Sequence, residues 1–114
     1  MMDVFTSRDF YKVFTKEDGR LNYNDKWAFE EECFQEWKQT LRVGQEVEVV
    51  RPNHTRTNNS AAYFNCGLLP IIDIKEDEVV FQKGKRKLHY TSSDFTYETS
   101  DFVRKKAKER FGNK

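Results

Sequence analysis

Along the chain the spacing of apolar positions changes twice, from helical to alternating and back. Phe10, Val13 and Phe14 recur at helical spacing behind Ser7, which predicts a short helix within 7–16 capped by Ser7, a strand being the alternative. Glu17-Asp18-Gly19-Arg20 then reads as a turn. The longest periodic segment runs from about Asp25 to Leu41, where Trp27, Cys33, Phe34, Trp37 and Leu41 share one broad stripe. Asn24 or Asp25 is its expected cap and Gly44 its stop. Glu31, Glu32, Gln35 and Gln39 point elsewhere. Glu30 falls inside the stripe, either paired with a basic residue or at the stripe's wet margin.

From Glu46 the period shortens. Glu46–Arg51 alternates as a strand with one buried face, and 52–62 is a long polar loop. Residues 67–74 are apolar, with Pro70 marking a bend or an edge. A tight connection at 75–77, a strand at 78–82, a hairpin turn at 83–85 and a returning strand at 86–91 follow. Ser92-Ser93-Asp94 reads as one helical turn and 95–98 as a short last strand. Ser100 then caps an amphipathic helix over 101–111 that carries Arg104, Lys105, Lys106, Lys108 and Arg110.

In this order of parts, residues 43–99 resemble the SH3-like barrel superfold, including its KOW-type and Tudor-like relatives. The resemblance covers half of the chain and rests on element order, without a diagnostic motif. It implies an α+β fold: a five-stranded antiparallel barrel with N-terminal helices and a C-terminal helix packed around it. Residues 1–114 would form one domain, with a helical region at 1–42, the barrel at 43–99 and a basic helix at 100–114. Such barrels host unrelated binding roles, so the likeness carries fold more than function.

Composition supports a single core. The 114 residues leave no room for two independent ones, and ten Phe, five Tyr and two Trp give an aromatic core to a chain that is only 37% hydrophobic. No run approaches the roughly 20 apolar residues of a membrane span. The N-terminus lacks the basic-then-apolar pattern of a secretory signal, and Cys33 and Cys66 have no paired spacing. These features predict a cytoplasmic protein with free thiols. The net charge of +1 hides a contrast: residues 1–50 carry 7 basic and 11 acidic side chains, and residues 51–114 carry 13 and 8. The halves could therefore present opposite faces.

The chemistry of the chain points away from catalysis. His54 and His89 stand in no nucleophile or metal motif, and alternation puts His89 on the face opposite Leu88 and Tyr90. Zinc needs about four convergent ligands, and Cys33, His54, Cys66 and His89 are scattered. No glycine-rich phosphate loop occurs. No cofactor and no enzymatic activity are expected. Glu30-Glu31-Glu32 with Glu36 read mostly as a solvated helix face, because adjacent helical residues diverge.

Two basic groups remain. Lys83, Lys85, Arg86 and Lys87 crowd the hairpin, and Arg51, His54 and Arg56 flank the long loop beside Asn53, Asn58 and Asn59. Brought together at one end of a barrel, with Tyr63 and Phe64 nearby, they would form a rim able to neutralise phosphates and stack on bases. Charged hairpin tips also simply solubilise and block edge pairing. The expected function is a non-catalytic, macromolecule-binding accessory protein whose partner is a nucleic acid or an acidic protein surface, not a membrane. The alternative is a protein-binding adaptor or inhibitor of the compact kind encoded by phages and other mobile elements.

Overall fold

The computed structural model describes residues 5–53 and 63–112. Helix α1 (Ser7–Val13) is capped by Thr6, one residue earlier than the sequence pattern indicates. Asp9 stands three residues beyond Thr6, so the two bond reciprocally: the Asp9 amide donates to Thr6 Oγ1 at 3.2 Å and the Thr6 amide to Asp9 Oδ2 at 2.9 Å. The 16–20 turn follows, with Gly19 at φ +86°.

Helix α2 (Tyr23–Lys38) is capped by Asn22, whose Oδ1 accepts from the Asp25 amide at 3.2 Å. Its buried residues are Lys26, Phe29, Glu30, Cys33, Phe34 and Lys38, so the inner face is rotated towards Phe29 relative to the expected stripe. Trp27, expected inside, is 58% exposed. The rotation follows from where the other helices lie. Phe29 meets Phe10, Phe14 and Phe111, with centroids 5.2–6.1 Å apart.

Four antiparallel strands follow: β1 (Glu46–Pro52), β2 (Tyr63–Ile74), β3 (Glu78–Lys83) and β4 (Arg86–Thr91), in spatial order β1-β2-β3-β4. β2 is long enough to serve two partners. Residues 63–70 pair with β1 and residues 71–74 with β3. A bulge lets the ladder bend: Val49 opposes Gly67 and Val50 opposes Asn65, which leaves Cys66 as the extra residue. Gly67 takes φ +84° there, and its amide donates to Asn65 Oδ1 at 3.0 Å. A 3₁₀ turn (Ser92–Asp94) and helix α3 (Asp101–Phe111) complete the chain.

Among the described residues the expected five-stranded closed barrel does not form; their sheet is open and has four strands. Residues 95–98 do alternate in burial, with Phe95 and Tyr97 inside, but they make a turn and not a strand. Their backbone groups are satisfied locally. The Thr99 and Ser100 amides donate to the Thr96 carbonyl at 3.2 and 2.9 Å, and Arg104 donates to the carbonyls of Tyr97 and Glu98 at 2.8 and 3.0 Å. The alternation comes from packing between helices: Phe10 stacks on Tyr97 at 4.5 Å, and Trp37 on Phe95 at 4.7 Å. Edge contact between β1 and the end of β4 is made by side chains instead. The Tyr90 hydroxyl donates to the carbonyls of Val50 (3.4 Å) and Asp94 (3.2 Å).

One cluster of buried residues joins all three helices to the sheet, and it is aromatic as the composition implies. Phe34, Trp37, Phe81, Tyr90 and Phe95 fill the space between α2 and the sheet. No helix among the described residues is long and apolar enough to cross a membrane.

Burial holds the phenols of Tyr90 and Tyr11 protonated well above the ordinary tyrosine range, with Asp94 opposing ionisation of the first and Glu98 that of the second. A pKa raised in the fold gives stability that is complete below the unfolded value of about 10 and is lost as pH rises beyond it. Urea titrations at successive pH values are therefore expected to show stability falling above about pH 10. In Tyr90→Phe the fall should be shallower; an unchanged slope would refute the assignment to that phenol.

Candidate cationic groove and the adjoining cavity

The core-facing side of the β3–β4 hairpin runs beyond the helices. Across the ladder Val79 pairs with Tyr90, Phe81 with Leu88 and Lys83 with Arg86. Cross-strand partners share a face, and residues two apart along a strand share it too. The apolar core face thus continues into Lys83 and Arg86 where cover ends. On β1 the same continuation leads from Val47 and Val49 to Arg51, with Phe64 as its cross-strand partner and half exposed. Arg51, Lys83, Arg86 and Leu88 line one shallow groove of about 410 Å³, and Lys87 and His89, which belong by alternation to the hairpin's other face, border it. Of the residues singled out in sequence, Arg51, Lys83, Arg86 and Lys87 are brought together. Lys85 lies at the exposed hairpin tip, while His54 and Arg56 fall outside the described residues.

Several cations elsewhere are committed to acidic partners. On α3, Lys106 pairs with Glu36 at 2.8 Å and Arg110 with Glu32 at 2.6 Å, both across to α2. The acidic run that reads as a solvated face is partly a docking surface for the basic helix. Arg51 donates from Nε and Nη2 to the buried Asp94 carboxylate at 3.2 and 3.3 Å. His89 Nδ1 lies 2.8 Å from Glu78 Oε2, which, with Lys75, holds the Glu78 carboxyl below its ordinary range. Among the described residues, no acidic side chain pairs with Lys83, Lys85, Arg86 or Lys87.

Beyond the Arg51–Asp94 pair lies a larger cavity of about 680 Å³, which apolar periodicity did not reveal. Tyr11, Lys26, Trp27, Glu30, Tyr63 and Glu98 contribute to its wall. Lys26 Nζ donates to Glu30 Oε2 at 2.9 Å, with both residues under 10% exposed. Burial raises the Glu30 carboxyl above its ordinary range, while Lys26 and the Tyr97 amide pull it back. The Tyr11 hydroxyl donates to Glu98. The pairing of Lys26 with Glu30 was readable as an i, i+4 spacing. The inward position of Glu30 follows from its place in the stripe, and of the two alternatives there the structure shows the pair with a basic residue, Lys26.

Among the described residues no further chemistry-bearing cluster emerges. Burial pushes the Cys33 thiol up to about 12, so the thiolate is not formed near neutrality, and Cys66 is likewise free. Among the described residues no three His, Cys, Asp or Glu side chains converge as metal ligands. No family model, no curated protein and no solved structure matches the chain.

Removing Lys26 alone would leave a buried carboxylate without its partner, a loss of about 3–5 kcal/mol, whereas replacing both members with apolar residues is commonly near neutral. Denaturant unfolding should therefore find Lys26→Met strongly destabilised and the double variant Lys26→Met, Glu30→Leu much closer to the parent. Equal losses in both would show that the pair itself is a net source of stability.

Proposed function

We propose that the protein is a non-catalytic nucleic-acid-binding module that grips a phosphate backbone in the groove between β1 and the β3–β4 hairpin. The observation that carries this reading is the gathering of Lys83, Arg86 and Lys87 beside Arg51, unneutralised by described acidic side chains, whereas Lys106 and Arg110 of α3 pair with α2. Phosphate oxygens are the complementary ligand, since each cation that replaces a condensed counterion contributes to affinity. Arg51 is held in place by Asp94 and presents a fixed edge to the groove. Lys85 extends the positive field at the tip. Two free cysteines support action in a reducing cytoplasm. The exposed apolar side chains Val43 and Leu68 support the competing reading of a protein-binding adaptor or inhibitor.

The test is fluorescence anisotropy with labelled single- and double-stranded DNA and RNA at low salt. Lys85→Glu, Arg86→Glu, Lys87→Glu should abolish binding at an unchanged melting temperature. The neutral triple glutamine variant should lower the slope of log K against log salt by roughly 2–3. An unaffected affinity would overturn the proposal. So would a failure to bind any of these probes alongside a stoichiometric protein partner that survives nuclease treatment, an outcome that favours the adaptor.

A further inference from the structure

The groove and the cavity stand back to back across one ion pair. Arg51 lines the groove, while Pro52 next to it, and Ser92 and Ser93 next to Asp94, line the cavity. A polymer held at Arg51 therefore passes within a residue or two of the cavity mouth. The charge balance differs between the two. Among the described residues of the cavity the one cation, Lys26, is spent on Glu30, and Glu98 adds a second carboxylate. A phosphate would be repelled there, whereas an uncharged aromatic group would not.

What the cavity offers such a group is ring surface and hydroxyls. Trp27 is 58% and Tyr63 43% exposed at its wall, and Tyr23 props Trp27 from the side at 5.5 Å between centroids. Ser93 and Thr96 each share a bond with a neighbouring threonine, at 2.7 and 3.0 Å, and each oxygen keeps further hydrogen-bonding capacity for a base edge. The volume lies within the roughly 300–1,000 Å³ of small-ligand sites. From these juxtapositions we infer that the nucleic acid is bound single-stranded, its backbone in the cationic groove and one unstacked base in the cavity against Trp27 and Tyr63. The inference rests on the groove reading above. Bases within a duplex are stacked and paired, so they cannot enter.

Binding of labelled oligothymidylate, oligoadenylate and the duplex formed from the two tests this. The parent protein should prefer either single strand to the duplex. Trp27→Ala should weaken single-strand binding roughly ten-fold, leave duplex binding unchanged and leave the salt slope unaltered, because a stacking contact and no phosphate contact has gone. Trp27→Phe should recover most of the loss, and Tyr63→Ala should repeat it from the sheet side of the cavity. Equal affinity of the parent for single strand and duplex, with Trp27→Ala and Tyr63→Ala both silent, would overturn the inference and leave the groove reading standing. Absence of binding to all three probes and to their RNA counterparts would overturn both.

Discussion

The carboxylate of Asp94, 2% exposed, accepts two bonds from the Arg51 guanidinium and one from the Thr91 amide, and its carbonyl accepts the hydroxyls of Tyr90 and Thr99. This one residue ties β1, β4, the 3₁₀ turn and the segment leading to α3. The tie joins edge strands that share no ladder, and a buried carboxylate without donors would be costly. The pair also divides the surface. On one side it holds Arg51 into a cationic groove, and on the other it helps to frame a cavity whose charges are balanced or negative.

Charge is distributed by the same economy of partners. The acidic face of α2 receives Lys106 and Arg110 from α3, so part of the charge contrast between the two halves of the chain is offset across a helix–helix contact. Exposed pairs of this kind add little stability individually. Their larger effect is on the field: they neutralise Lys106 and Arg110 and so thin the positive charge of α3, while Lys83, Lys85, Arg86 and Lys87 stay unpaired on the hairpin.

Aromatic packing explains why a chain so poor in aliphatic side chains closes a core at all. Phe10 on Tyr97 and Trp37 on Phe95 join elements distant in sequence, and the turn between Phe95 and Ser100 exists to deliver those rings. Lys26 and Glu30 sit beside this packing as a mutually neutralising pair, able to be buried only because each supplies the other's partner.

Much of this was legible from local pattern. The helices around Phe10, Phe34 and Val103, the strands at 46–52, 78–83 and 86–91, and the turns at Gly19 and Gly84 all follow from spacing and backbone chemistry within a few residues. The clustering of Lys83, Lys85, Arg86 and Lys87 was equally visible, because a tight hairpin keeps neighbours in sequence neighbours in space. Tertiary structure alone decided the rest. Alternation at 95–98 implied a strand, but burial between helices produces the same period as a ladder, and only the positions of Arg104 and Thr96 show which applies. The spacing put Trp27 and not Phe29 on the inner face of α2, and the placement of α1 and α3 reversed the two. Arg51 finding Asp94, and Lys106 finding Glu36, depend on pairs 43 and 70 residues apart in the chain. Local sequence sets what each residue can bond to; which partner it meets is set by packing, since the attraction acts only over the few ångströms that the fold brings within reach.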